Sequence, residues 1–250
     1  MRLKVWYGTH PDERAAIELG RSLEERPIPN IDVGVANKEA LKTGERYIKV
    51  NMAHAFPGDP HAPEYEYRRA VEILEESEGY DAVVDLHSVS GGADTACISG
   101  ERGVSPTILG FLGGLGIGSL VLSDKNLPEY SPSPNAFVLE LITDGLGREI
   151  ERLRGEFDRL ANGTPPQPMA AEQFNWYVST HDGLQETQIS RSEYPAFIPG
   201  FEPLKAEDNS RLGLPDQTSF LCTLDAPNAQ GYWADLCVPV PVPDTSRWPR

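Results

Sequence analysis

Four side chains in this sequence have types and positions that could do chemistry together: His10, Glu13, His87 and Glu140. His10 and Glu13 stand three apart in "GTHPDE", where an apolar run ends and a helical pattern begins. Residues three apart on a helical turn share a face, with Cβ atoms about 5–6 Å apart. Both could therefore hold one ion at ligand distances of about 2.0–2.2 Å. Ordinary solvated pairs of a first helical turn have the same spacing, so this stretch alone decides nothing. His87 closes "DAVVDLHS", whose alternation sets Val83, Asp85 and His87 on one strand face. A histidine there packs as readily as it ligates, but ligands in open α/β sheets collect at the carboxyl ends of strands. Together with His10 and Glu13 it completes a two-histidine, one-glutamate set that leaves a fourth position for water, the composition of a hydrolytic zinc site. Glu140 lies inside the apolar "NAFVLELITDG", where an unpaired charge is costly. It is either an ion-pair partner of an arginine or a carboxylate tuned to act as a general base.

The elements that must position these groups alternate. Strand-like runs "LKVWYG", "IDVGVAN", "DAVVDLHS", "TACIS", "SLVLS" and "AFVLELI" are separated by helical patterns, which argues for an α/β layered domain. "PDERAAIELGRSLEER" carries Pro11 in its expected first turn and Ala16, Leu19 and Leu23 at helical spacing. "EYEYRRAVEILEESE" sets Tyr67, Val71 and Leu74 on one face, and the acidic run "EILEESEGYD" is expected to be a wet helix face. "SPTILGFLGG" has a Ser-Pro start and a glycine stop, and "REIERLRGEFDRLANG" ends in Asn-Gly. The turn formers of "NGTPPQPMA" suggest a boundary, giving domains 1–165 and 166–250. Beyond it, "FNWYVST", "TSFLCTL" and "LCVPVPVP" predict a small β-rich domain, with the prolines confining the last run to an edge strand or an extended arm.

Taken in order, "GTHPDE", "RYIKVNMAHAFPGD", "DAVVDLHS" and "FVLELITDG" resemble the succinylglutamate desuccinylase/aspartoacylase family of zinc carboxypeptidase-like hydrolases, over most of residues 1–150. "PDQTSFLCTLDAP" resembles that family's β-rich C-terminal domain. The resemblance implies an α/β fold with a three-layer, zinc carboxypeptidase-like core and a mixed sheet. It implies one zinc per chain on His10, Glu13 and His87, with Glu140 taking the proton of the attacking water and passing it to the leaving amine. Arg46 falls where the family has an arginine that polarises the scissile carbonyl. Physical chemistry agrees with these roles, since a metal lowers the pKa of its water and fixed positive charge stabilises a developing oxyanion.

The departures bear on substrate. Asn51-Met52-Ala53-His54 stands where the family usually reads Asp-Leu-Asn-Arg, so the pair that would bind a substrate carboxylate is Ala53-His54. A further carboxylate-binding arginine aligns roughly with Tyr130. Neither imidazole nor phenol reproduces a bidentate guanidinium. The substrate-binding candidates are thus Asn51, His54 and Tyr130, and N-acetylaspartate and succinylglutamate are disfavoured. Pro11-Asp12 replaces the usual Gly-Asn between the first two ligands, which a helix start tolerates. The expected activity is hydrolysis of a small N-acyl amino acid or related amide. The alternatives are a carboxypeptidase acting on short peptides and a non-catalytic module that binds in the same cleft.

Composition excludes other classes. A formal net charge of -16 over 250 residues repels phosphate backbones and anionic lipids, so neither nucleic acid nor a membrane is expected as partner. "GFLGGLGIGS" lacks both GxGxxG and a Walker lysine, and its glycines read as a helix stop. Cys97, Cys222 and Cys237 form no CxxC pair, which fits a reduced, cytoplasmic setting. A small-molecule substrate is the partner expected, and a homo-oligomer is left open.

Overall fold

The computed structural model describes residues 1–89, 91–92, 94–99, 101–123, 127–142, 146–164, 166–185, 204–205, 210–212, 214, 218–223 and 232–249. Its frame is one sheet. β1 (Leu3–Tyr7) leads through α1 (Arg14–Glu25) to β2 (Ile31–Val35), which pairs with it in parallel. The chain then passes through α2 (Lys38–Thr43) and α3 (Tyr65–Glu76) to β3 (Ala82–Val89), parallel to β1 on its other side. This reversal of direction between β1 and β3 is the place where open α/β sheets form a crevice at their carboxyl ends. His10 follows β1 and His87 lies near the end of β3.

Beyond β3 the sheet becomes mixed. β7 (Asn135–Ile142) is parallel to β3, while β5 (Thr95–Ser99) runs antiparallel to β7 and parallel to β6 (Ser119–Ser123). Counting the short β4 (Gly91–Gly92), the order is β2-β1-β3-β7-β5-β6-β8-β10-β9-β4, ten strands in all. β8 (Asn175–Gln185) joins β6 in parallel, β10 (Tyr232–Val240) pairs antiparallel with β8, and β9 (Ser219–Thr223) pairs antiparallel with β10. The strands after residue 165 therefore continue the sheet of the first half. Pro239 pairs with β8, but β9 stops pairing at Cys237. Among the described residues the proline-bearing end of β10 is paired on one side only, where an edge position tolerates a missing N–H.

Strand alternation divides the core into two layers. Leu3, Val5, Tyr7, Val84, Leu86, Phe137 and Leu139 face α1, α4 (Pro106–Gly114) and α6 (Leu146–Asn162). Trp6, Val83 and Ala136 face α3, the 3-10 turn Met52–His54 and α5 (Leu127–Tyr130). This is the expected three-layer arrangement. Two helices escaped the sequence patterns because they are short, six residues in α2 and four in α5. α2 is set by its ends, with Asn37 capping the Ala40 N–H at 3.1 Å and Gly44 in the left-handed region at φ 73°.

α3 turns differently from its predicted face. Tyr67, Val71 and Leu74 are only half-buried, and the buried residues are Glu66, Arg69, Ala70 and Ile73. The two charged residues go inward because each satisfies backbone groups of a loop. Arg69 donates to the Ala36 and Val35 carbonyls at 3.0 and 3.1 Å, and Glu66 accepts from the Ile48 and Lys49 amides.

Candidate metal centre

The loop after β1 brings the first two groups. Gly8 opens it at φ +72°, a left-handed conformation that side chains rarely adopt, with Ile17 3.2 Å from where a Cβ would stand. Pro11 lies in a turn before the helix, not in its first turn. The Glu13 N–H donates to the His10 carbonyl at 3.1 Å, and α1 begins only at Arg14, with Glu13 as its N-cap. Glu13 makes no side-chain cap bond. Its carboxylate turns away from the helix and points between the two imidazoles.

Glu13 Oε1 lies 2.6 Å from His10 Nδ1, and Oε2 lies 3.2 Å from His87 Nδ1 while accepting the Ser88 N–H at 3.0 Å. His10, Glu13 and His87 form a group whose donor atoms all lie within 4.8 Å of one another. The outer nitrogens are both engaged. His10 Nε2 is 2.7 Å from Asn51 Oδ1, an oxygen that also accepts the Ala53 N–H at 3.1 Å. His87 Nε2 is 3.0 Å from Asp85 Oδ2, whose other oxygen accepts from Thr9 Oγ1 at 2.8 Å. With both Nε2 atoms engaged outward, the two Nδ1 atoms are the nitrogens that face the Glu13 carboxylate. Imidazole nitrogens that close to carboxylate oxygens need positive charge between them, which a proton or a bound cation supplies, and the three donors form a group that could hold a metal ion.

Electrostatics shows the same demand. Burial alone would depress the His87 imidazole, yet Asp85 and Glu13 outweigh it and raise its pKa well above the ordinary value. Burial would raise the Glu13 carboxyl, but His10 and His87 hold it well below its ordinary value.

Arg46 reaches the same group from the loop after α2. Its Nη1 donates to both Asp12 oxygens at 3.0 and 2.9 Å, while Nη2 stands 3.2 Å from His10 Nδ1 and 3.4 Å from Glu13 Oε1. Burial would lower the guanidinium's pKa, but Glu13, Asp12 and Glu140 raise it. Glu140, half-buried on β7, is in register with His87 and so shares its face.

The substrate-binding candidates divide. Asn51 is at the group, but its oxygen is spent on His10 and on the Ala53 amide. His54 ends the 3-10 turn and is exposed. Tyr130 is not brought to the group. It ends α5, where the neighbouring Glu129 accepts from Ser99 Oγ at 2.5 Å. Ser99 lies beyond the Ile98–Phe137 pair, at the opposite end of β7 from the Thr95–Glu140 pair. Nine residues of chain, Asn135 to Leu139 of β7 among them, lie between Tyr130 and Glu140, so Tyr130 precedes the amino end of the strand. His61 is exposed, and the side chain of His181 lies outside the described residues.

Asp85, Thr9 and Asp12 take parts that sequence reasoning did not assign. Asp85 had a signal, because it shares a strand face with His87. Thr9 and Asp12 had none, since their partners are Asp85 and Arg46, distant in sequence. A groove of about 700 Å³ runs along α1 between Pro11, Arg14, Ile17, Leu41 and Gly44, but none of the metal-site residues lines it. No helix among the described residues is long and apolar enough to cross a membrane.

The fold and part of the sequence are shared with known proteins. Residues 2–126 match the profile of the succinylglutamate desuccinylase/aspartoacylase catalytic domain. The succinylglutamate desuccinylase of Chromobacterium violaceum superposes with a TM-score of 0.71 at 18% identity, over 97% of this chain and 86% of that one. Murine aminoacylase 3 superposes with a TM-score of 0.60 at 17% identity, over 97% of each chain. A protein of Idiomarina loihiensis described as a probable transcriptional regulatory protein is 30% identical over 119 residues, 46% of this chain. The aligned stretch is 47% of that relative's length, so the chain spans about half of it. With half of its length matched by the profile and its fold shared with desuccinylases and an aminoacylase, the chain belongs to the succinylglutamate desuccinylase/aspartoacylase family.

Proposed function

We propose that the protein is a zinc-dependent amide hydrolase that removes the acyl group from a small N-acyl amino acid or related amide. The observation that carries this reading is the convergence of two imidazole Nδ1 atoms on the Glu13 carboxylate, with Glu140 beside His87 on the neighbouring strand. His10, Glu13 and His87 would hold the zinc, which when bound acidifies water and polarises a carbonyl.

The chain's own residues supply the rest. Asn51 and Asp85 hold the imidazoles in the tautomer that presents Nδ1. The Glu140 carboxylate takes a proton from the attacking water and returns it to the leaving nitrogen. Arg46 sets positive charge where the carbonyl oxygen becomes an oxyanion, and Asp12 keeps the guanidinium aimed there. Ala53 and the exposed His54 form no guanidinium clamp, which supports a substrate other than N-acetylaspartate or succinylglutamate.

The test is hydrolysis of a panel of N-acyl amino acids and short peptides by zinc-loaded protein, beside Glu140→Gln. Amine release that disappears in the variant, with zinc retained, is expected. Cleavage confined to peptides would make it a carboxypeptidase, and equal rates in the variant would remove Glu140 from the mechanism.

A further inference from the structure

Residues 44–51 carry two groups that touch His10, namely Arg46 and Asn51, yet no helix or strand lies in that segment. Something outside it must therefore take its backbone donors. The Ile48 and Lys49 amides, which lie between those two residues, both donate to Glu66 Oε1, at 2.6 and 3.1 Å. Glu66 is in the first turn of α3 and is 0% exposed. Its Oε2 is buried with no hydrogen-bond partner.

A buried carboxylate is costly, and one with an idle oxygen more so. Its inward neighbours do not account for this one, because Arg69 is engaged by the Ala36 and Val35 carbonyls and by Glu72 and Glu76, while Ala70 and Ile73 pack against Trp6 and Val83. What the carboxylate does provide is one oxygen that fastens two successive amides by charge-assisted bonds. The loop is thereby fixed between its two functional side chains. We propose that Glu66 is a positioning residue, which holds the 44–51 loop so that Asn51 seats the His10 imidazole and Arg46 faces the metal group. This rests on the proposed roles of His10, Asn51 and Arg46. Glu66 touches neither substrate nor metal, and its influence on the proton at His10 Nε2 passes through Asn51, since Arg46 approaches the other ring nitrogen.

The test compares Glu66→Ala, Glu66→Gln, Asn51→Ala and the Glu66→Ala/Asn51→Ala double variant. Two readouts are used: the His10 ring nitrogen resonances of metal-free protein, and zinc affinity by competition with a chromophoric chelator. Glu66→Ala should shift the His10 signals away from the Nε2–H tautomer and weaken zinc about tenfold or more, the range for outer-shell partners. Glu66→Gln, which keeps an acceptor oxygen, should restore most of both. The double variant should bind zinc no more weakly than Asn51→Ala alone. Parental His10 signals and zinc affinity in Glu66→Ala, or losses that simply add in the double variant, would overturn the proposal. If the parent bound no zinc, the hydrolase reading would fall, while the His10 resonances would still decide the role of Glu66. If Glu66→Ala did not fold, Glu66→Asp, which keeps the charge but withdraws the oxygen, would be judged by the same criteria.

Discussion

His87 and Glu140 face each other across the parallel ladder of β3 and β7, paired in register. In-register neighbours stand about 4.8 Å apart and point to the same face. The spacing of imidazole and carboxylate is thus fixed by backbone hydrogen bonds and not by a loop. Glu140→Asp keeps the charge but withdraws it by one methylene. A displacement of about 1 Å from a productive geometry costs on the order of a hundredfold. Steady-state kinetics should show a loss of that size in kcat, with zinc affinity unchanged. A rate within a few-fold of the parent would argue against a fixed proton acceptor at this position.

Asp12 and Arg46 should separate in the same way. Arg46→Ala removes the charge offered to the oxyanion and should lower kcat by about two to three orders of magnitude, as losses of oxyanion donors do. Asp12→Ala only frees the guanidinium, so its effect should be smaller and should vanish in the Arg46→Ala background. A larger loss from Asp12→Ala than from Arg46→Ala would mean that Asp12 acts on its own account.

The pH dependence of the metal-free protein follows from the two shifted groups. The folded His87 pKa lies above its ordinary 6.5, so its contribution is full below that value and is lost as pH rises through the folded pKa. The folded Glu13 pKa lies below 4.5, so its contribution is present above that value and is lost as pH falls through the folded one. Denaturant unfolding should therefore show a plateau between the two, with an alkaline decline that His87→Gln abolishes. Zinc must displace the His87 proton, so zinc binding below the raised pKa should release protons. A decline that persisted in His87→Gln would place its origin elsewhere.

Gly20 gives a test of packing. A Cβ there would stand 2.2 Å from the buried Tyr7 ring. Alanine would gain roughly 1 kcal/mol of helix propensity, but overpacking of a filled core costs about 1–3 kcal/mol. Gly20→Ala should lower the Tm. A raised Tm would show that β1 and α1 can move apart.

Much of this architecture was legible in the sequence. Period-two runs found the strands of the sheet's first half because apolar residues alternate toward two core layers, while His10, Glu13, His87 and Glu140, each open to an ordinary structural role, pointed to chemistry only when taken together. Residues whose meaning lies in long-range backbone bonding were not legible. Glu66 and Arg69 follow the pattern of a solvated helix face, yet they are buried because loops distant in sequence bring amides and carbonyls to them. Tyr130, named for its rough alignment with a family arginine, follows Glu129, which bonds Ser99 at the end of β7 away from Glu140.

The central claim is that one zinc is held by His10, Glu13 and His87. Its most direct test is the metal content of the purified protein by plasma mass spectrometry, beside His10→Ala and His87→Ala. The account predicts about one zinc per chain, from the single site that the three ligands form, and its loss in both variants with the fold intact by circular dichroism. A parent that holds no zinc after loading and dialysis, or variants that hold it as well as the parent, would contradict it.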